Sequence, residues 1–359
     1  MLDGDELPGP ALQRPAQGEP ELRPVVVQYL YIHGGDESFE YPSSRDRSGD
    51  PARLAMRYLE CVLVQAASLR LQDADCELVL VTNRTAGAGL SRRGARLLGE
   101  IEAIGTTIVE AEYRHRPTDH AYFAASRYVF DAIEAMAPGA APDRPMWFVD
   151  VDCVWVDPAR AFGLMPPRPA IACVTIPYPP DWLNGAKRAR TGKLVRQLGA
   201  PPGPVPVWVG GELLAGHVAD LLELVRACER LESELTEHGV ELGTEEELLS
   251  LALALGRIDL LDVTSAVRRI WTGPRHGAPR PEHPGSLALW HLPSEKGLAF
   301  RRTARELARG RGERLRRDLA DPARALRRFN VEGAGSQRRV RDDLWLLGQR
   351  GRDAIRARL

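Results

Sequence analysis

The sequence predicts an α/β domain built on a mostly parallel sheet. Three observations carry this. Apolar runs of strand length alternate with amphipathic helical stretches from residue 25 onward, the order that a parallel sheet with helical crossovers requires. The first runs are almost continuously apolar, as in strands covered on both faces. In mid-chain, the run Met146-Trp147-Phe148-Val149 delivers two carboxylates, Asp150 and Asp152, at a strand end, where open α/β sheets keep their ligands.

The totals set bounds. The chain has 359 residues, 44% hydrophobic and 27% charged, enough for one large α/β domain or two small ones. A net charge of -1 gives no global signal for nucleic acid or membrane. Five widely spaced cysteines form no Cys-x-x-Cys pair, which argues against a disulfide framework or cysteine zinc site and points to a reducing cytoplasm. No run of 18 apolar residues predicts a spanning helix. The acidic start, Met1-Leu2-Asp3-Gly4-Asp5-Glu6, is unlike a signal peptide. Basic charge is nearly all Arg, with Lys at 187, 193 and 296 alone. With the Ala and Gly load, this is the usage of GC-rich coding and points to a bacterial source.

Each element follows from local pattern. Residues 1–24 are rich in Pro, Gly and acids and predict a disordered arm. Residues 25–32 read as a buried strand that breaks at His33-Gly34. Asp50-Pro51 then caps a helix with Leu54, Tyr58, Cys61, Val62 and Leu69 as its stripe. Residues 76–83 and 106–109 are further strands, with a helix over about 91–104 between them. The missing G-x-G-x-x-G and Walker A sequences remove the main support for dinucleotide or P-loop binding. Thr118 or Asp119 caps the next helix, striped by Phe123, Phe130 and Ile133. Arg127 lies at the edge of that stripe and needs a partner: a nearby acid, a phosphate or Asp150.

The acids come next. In an extended chain, Asp150 and Asp152 would share one face. Like charges so close repel unless a cation lies beside them, and an oxygen ligand set suits Mg²⁺ or Mn²⁺. The plain alternative is a strand entering an Asp157-Pro158 turn with solvated acids. On the cation-site reading, Asp152→Asn should relieve the repulsion between the two acids and raise apo stability slightly.

Residues 170–176 are another strand, followed by a Pro-rich loop over 177–185 that suits an acceptor site or lid. Residues 206–216 read as strand, glycine turn at Gly210-Gly211, then strand. A long helix carries Val218, Leu221, Val225, Cys228 and Leu231. Thr244 and Glu247 form a capping box, leaving Glu245 and Glu246 without a structural reason beyond the helix dipole. A strand near 258–263 leads to a basic loop around 273–284. The last strand, 286–290, ends in His291, with Lys296-Gly297 five residues on. From Arg301 the chain holds eighteen Arg, no Lys and eight acids, a surplus of ten positive charges. This basic helical C-terminal extension reads as a solvated appendage, with an anionic partner, membrane face or second subunit as alternatives.

Together, the Asp150-x-Asp152 strand end, the Gly210-Gly211-Glu212 segment, the acid-led helix at Glu245 and His291…Lys296-Gly297 resemble the GT-A glycosyltransferases. The nearest kind is retaining and glycogenin-like. The resemblance implies a GT-A (Rossmann-like) fold over residues 25–300, flanked by the 1–24 arm and the 301–359 extension. It implies transfer of a sugar from a nucleoside-diphosphate sugar, UDP-linked by preference, to an acceptor hydroxyl on a glycan, small molecule or lipid. Mn²⁺ or Mg²⁺ would sit on Asp150, Asp152 and His291. Tyr31, His33, Arg127, Asp150 and Lys296 would hold the donor, Lys296 through its diphosphate. Asp152, Glu212, Glu245 and Glu246 are the candidate catalytic acids, with Asp181 a further possible base. The Asn usual before the glycine turn, the Asp-Gln where Glu245-Glu246 stand, and the Pro-Trp after the Lys are absent. Two other readings use the same acids: a haloacid-dehalogenase-like phosphatase, and a non-catalytic nucleotide-sugar-binding protein with a basic interaction tail.

Overall fold

The computed structural model describes residues 23–33, 51–84, 90–117, 124–176, 188–199, 207–272 and 283–331. The expected arm, the caps at Asp50 and Thr118 or Asp119, the loop over 177–185 and the chain beyond Val331 lie outside them.

A seven-stranded sheet forms the frame, in the order β3-β2-β1-β4-β7-β6-β8. Its first half is β1 (Val25–Leu30), β2 (Glu77–Thr82), β3 (Thr106–Glu110) and β4 (Pro145–Val149), all parallel. Then β7 (Val209–His217) runs antiparallel between β4 and β6 (Ile171–Thr175), while β8 (Leu260–Asp262) lies parallel to β6. Mostly parallel order with helices on both faces is the predicted class.

Side-chain alternation along β1 divides the core. Val25, Val27 and Tyr29 pack with α3 (Tyr128–Met136), α6 (Val218–Glu237) and α7 (Glu245–Ala254). Their neighbour Val26 points to the other face, toward Ala66 and Leu69 of α1 (Pro51–Arg70), as a pleated strand requires. The second crossover helix, α2 (Arg92–Ala103), packs beside α1, with Ser91 as its N-cap.

A smaller sheet sits at the end of β4. It joins β5 (Cys153–Trp155), β10 (Leu289–His291) and β9 (Val267–Arg269), with β10 in the centre. It brings a strand from near the end of the described chain against the residues that follow Asp152. Between β5 and β6 lies the short helix α4 (Pro158–Phe162), capped by Asp157 as the Asp-Pro pair suggests.

Three expectations change. Residues 209–217 form one unbroken strand, so Gly210-Gly211 is not a turn. Asp150 and Asp152 do not lie on a strand; they occupy the turn between β4 and β5, closed by Cys153 N–H donating to the Asp150 carbonyl (3.2 Å). Finally, the basic extension is not a solvated appendage as far as it is described. Helices α8 (Arg301–Leu307), α9 (Gly312–Leu319) and α10 (Pro322–Arg328) bury Leu315, Leu319, Ala325, Leu326, Phe329 and Val331 in the same cluster as α1. Apart from Arg328, which is buried and paired with Glu306 (2.9 Å) and Asp318 (2.7 Å), the arginines of these helices are exposed and the apolar positions face inward, so charge surplus and core packing coexist.

Candidate active site

The turn after β4 is held from below. Gln28, a polar residue inside the apolar run of β1, donates from Nε2 to Gln65 Oε1 (2.5 Å) and to the Val62 carbonyl (3.0 Å). Gln65 Nε2 in turn donates to the Asp150 carbonyl (2.9 Å), and Asp150 N–H donates to the Glu212 carbonyl (3.1 Å). Two buried amides and strand β7 thereby fix where the turn lies. Both buried amides are held through their NH₂ groups, while Gln28 Oε1 has no partner among the described residues.

Two carboxylates leave this turn in different environments. Asp152 is fully buried, whereas the Asp150 side chain stays 33% exposed. His291, at the end of β10, reaches both: its Nε2 lies 3.3 Å from Asp150 Oδ2 and 3.2 Å from Asp152 Oδ1. Lys296, in the π-type turn Lys296–Phe300, pairs with Asp152 Oδ2 and lies over the Tyr58 ring (5.3 Å). Ligand atoms of Asp150, Asp152 and His291 all fall within 4.8 Å of one another. One imidazole and two carboxylates on separate elements, with one carboxylate open to the cleft, fit a hard divalent cation.

Behind His291 sits a second layer that the sequence reading did not find. Arg269 ends β9, beside His291 in the parallel register. Its Nη2 donates to Glu212 Oε2 (2.7 Å) and to Glu246 Oε1, and its Nε lies 3.3 Å from His291 Nδ1. Glu212 Oε1 is 3.6 Å from that same Nδ1. Glu212 is fully buried and does not line the cleft, so it stands behind the imidazole rather than in front of it. A hydrogen bond on the far nitrogen orients a metal-binding histidine; here Nδ1 accepts from Arg269 Nε, which Glu212 in turn holds.

The glycine pair explains how so many acids fit. A Cβ on Gly211 would lie 1.9 Å from Glu245 Oε1, and one on Gly210 would lie 2.1 Å from Glu212 Oε2. Strand β7 is bare there so that two carboxyls can lie against it. Glu246 is fully engaged: it accepts from Trp208 Nε1 (3.2 Å), Gly211 N–H (3.3 Å) and Arg269. Glu245 is different. It lines the cleft, and its buried Oε2 has no hydrogen-bond partner among the described residues.

Electrostatics follow from this crowding. Five carboxyls (Asp150, Asp152, Glu212, Glu245 and Glu246) meet three basic groups (Arg269, His291 and Lys296). Burial and repulsion by Asp152 push the Asp150 carboxyl up. Burial also opposes ionisation of Asp152, yet Lys296 and His291 hold it well below the usual carboxylate range. Glu212 is buried too, but Arg269 and His291 bring it down to about 2. Glu245, buried and beside Glu246, is pushed up to about 8. The excess of acids over bases at one point is a physical reason for a cation there.

Two adjoining cavities form the cleft and share Ser126, Asp150, Glu245 and Lys296. The first extends to Arg269, Trp271 and Pro293, the second to Tyr29, Tyr31 and Tyr58. Tyr31 packs at a tilt against Tyr113 (4.8 Å) and edge-on against His33 (5.0 Å). His33 itself does not line either cavity, nor does Arg127. Of the partners open to Arg127, the structure gives the nearby acid and not Asp150: the buried guanidinium pairs with partly exposed Glu232 of α6 (2.5 Å), because the 3₁₀ turn Ala124–Arg127 precedes α3, which packs on α6. Of the remaining expected residues, Asp150, Asp152, Glu212, Glu245, Glu246, His291 and Lys296 converge. Gln28, Gln65, Tyr58 and Arg269 were missed. A Gln within Val-Val-Val-Gln-Tyr-Leu was a readable signal; nothing local marks Arg269.

No family description matches this chain, and no curated protein matches it. Solved structures do. Galactosyltransferase LgtC in complex with donor and acceptor sugar analogues is 12% identical, with 75% of this chain and 86% of that one covered and a TM-score of 0.43. An active-site mutant of LgtC is 13% identical over the same shares, with a TM-score of 0.44.

Proposed function

We propose that this protein is a metal-dependent glycosyltransferase that takes a sugar from a nucleoside-diphosphate donor to an acceptor hydroxyl. The observation that carries the reading is the meeting of Asp150, Asp152, His291 and Lys296 at the carboxyl end of β4. A diphosphate leaving group needs both a cation and fixed positive charge. Asp150, Asp152 and His291 are the residues to hold Mn²⁺ or Mg²⁺, which would supply charge neutralisation on the departing diphosphate. Arg269, held by Glu212 and Glu246, steadies the imidazole by donating from Nε to Nδ1 and keeps Glu212 ionised. Lys296 is the group to exchange Asp152 for a phosphate oxygen. Tyr31 and Tyr58 provide apolar walls on the donor side.

On the other side, Glu245 meets the sugar or acceptor hydroxyl. With a carboxyl pushed up to about 8, it is largely protonated at pH 7. It therefore donates a hydrogen bond more readily than it accepts a proton. Glu246, engaged by three partners, positions Arg269 and β7. UDP is the preferred base-diphosphate on the resemblance set out above.

Calorimetry with UDP-, GDP- and dTDP-sugars, with Mn²⁺ and then with EDTA, tests this. Saturable binding that disappears with EDTA, and slow donor hydrolysis with the same metal requirement, are expected. Equal binding with and without metal, or no binding of any nucleotide sugar, would overturn the reading.

A further inference from the structure

A second concave surface lies away from the cleft, between α1, α2 and α8. Its volume is about 280 Å³, and its walls include Arg93 and Arg96 from α2 and Arg305 and Arg309 from α8 and the turn after it. Leu97, Ala304 and Ala308 give it an apolar floor. Two acids are present, and each already has a partner: Glu60 with Arg93 (2.7 Å) and Glu100 with Arg96 (2.9 Å). Arg305 and Arg309 are exposed and make no ion pair among the described residues. Four guanidinium groups against two carboxylates leave a net positive groove.

We propose that this groove binds a small soluble phosphate-bearing anion, at a site separate from the diphosphate position in the cleft. Three features point to that class. Guanidinium forks on opposite walls match phosphate oxygens two at a time. The volume is at the lower edge of ordinary ligand pockets, which suits a compact anion better than a large organic molecule. The chemistry is concave rather than spread over a flat face, which favours a discrete ligand over a membrane surface.

The groove also touches the elements that build the cleft. Glu60 lies on α1 between Tyr58, which lines the cleft, and Gln65, which holds the Asp150 turn. Arg305 lies on α8, which continues directly from the turn that starts at Lys296. An anion held there would therefore bear on α1, which carries Tyr58 and Gln65, and on α8, which follows Lys296.

The test is titration calorimetry of the full-length protein with inorganic pyrophosphate and with orthophosphate, in EDTA at physiological salt. Saturable binding by wild type is expected. Arg305→Gln/Arg309→Gln should weaken it about tenfold or more, as loss of two charge-assisted contacts implies, with an unchanged thermal midpoint. Arg309→Gln alone serves if the pair fails to fold. Lys296→Gln should bind the anion as wild type does, which separates this groove from the cleft and from the function proposed above. Binding that survives loss of both arginines, or is lost with Lys296, overturns the proposal. So does binding confined to phosphatidylglycerol vesicles with none to soluble phosphate, which would make the arginines a membrane-facing surface.

Discussion

Replacing Asp152 with Asn keeps the shape of a fully buried side chain and removes its charge. Lys296, itself 5% exposed, then loses the carboxylate it pairs with, and His291 loses one of three. Breaking a buried pair from one side costs about 3–5 kcal/mol. Asp150 is close enough to take up part of the charge through His291, so the lower end, about 3 kcal/mol, is expected. This reverses the stabilisation that repulsion between two acids suggested from sequence, because the repulsion is outweighed by two basic groups the sequence could not place there. Urea unfolding in EDTA at pH 7 measures it, with the slope unchanged as a check that one transition is being followed.

The pH dependence carries the sign. Asp152 has a folded pKa depressed below its ordinary value of 3.8. Its contribution is therefore fully present above that pH and is lost as pH falls below it. Asp152 also raises the pKa of His291 above its ordinary 6.5, so the gap between wild type and Asp152→Asn should be level only between about pH 6 and pH 5, shrink as pH rises above that range, and narrow by about 1.4 kcal/mol per unit in the acid range below pH 4. An Asn variant as stable as wild type at pH 7, or a gap that ignores pH, would refute the pairing with Lys296.

Two further outcomes follow from packing. Gly211→Ala should destabilise by about 1–3 kcal/mol, since its Cβ would collide with Glu245, and Glu245→Ala should absorb most of that cost. A double-mutant cycle in thermal melts reads this, and additivity within about 0.5 kcal/mol would sink it. Cutting the chain after Phe300 removes Leu315, Leu319, Phe329 and Val331 from the cluster around α1; the product should be insoluble or collapsed, and a soluble fragment with a sharp melt would show that α8–α10 are dispensable.

The long elements were legible because they are locally determined. The runs in β1, β2 and β4 bury nearly every residue, and a buried strand announces itself by composition. The capping box at Thr244 and Glu247 formed as its spacing indicates. The small sheet was not legible in full. Its strands are three residues each, too short for periodicity, and their pairing joins residues far apart in sequence. That pairing brings Arg269 beside His291 and Glu212 behind it. The same limit misassigned Gly210-Gly211: a glycine pair signals close approach or a turn equally, and the choice rests on Glu245, which arrives from another helix. The partner of Arg127 stayed open among its alternatives for a similar reason, since the acid it pairs with, Glu232, lies on α6.

The sealing of α1 by the last helices bears on how the chain is made. Leu59, Val62 and Leu63 share one cluster with Leu315, Leu319, Leu326 and Phe329. On a ribosome, that face of α1 emerges early and its cover about 250 residues later. At ~5–20 residues per second the interval is roughly 12–50 s, far longer than the microseconds in which a helix forms. The nascent chain must therefore carry an uncovered oily helix through most of its synthesis, so expression yield should respond to chaperone supply and growth temperature more strongly than the stability of the finished protein does.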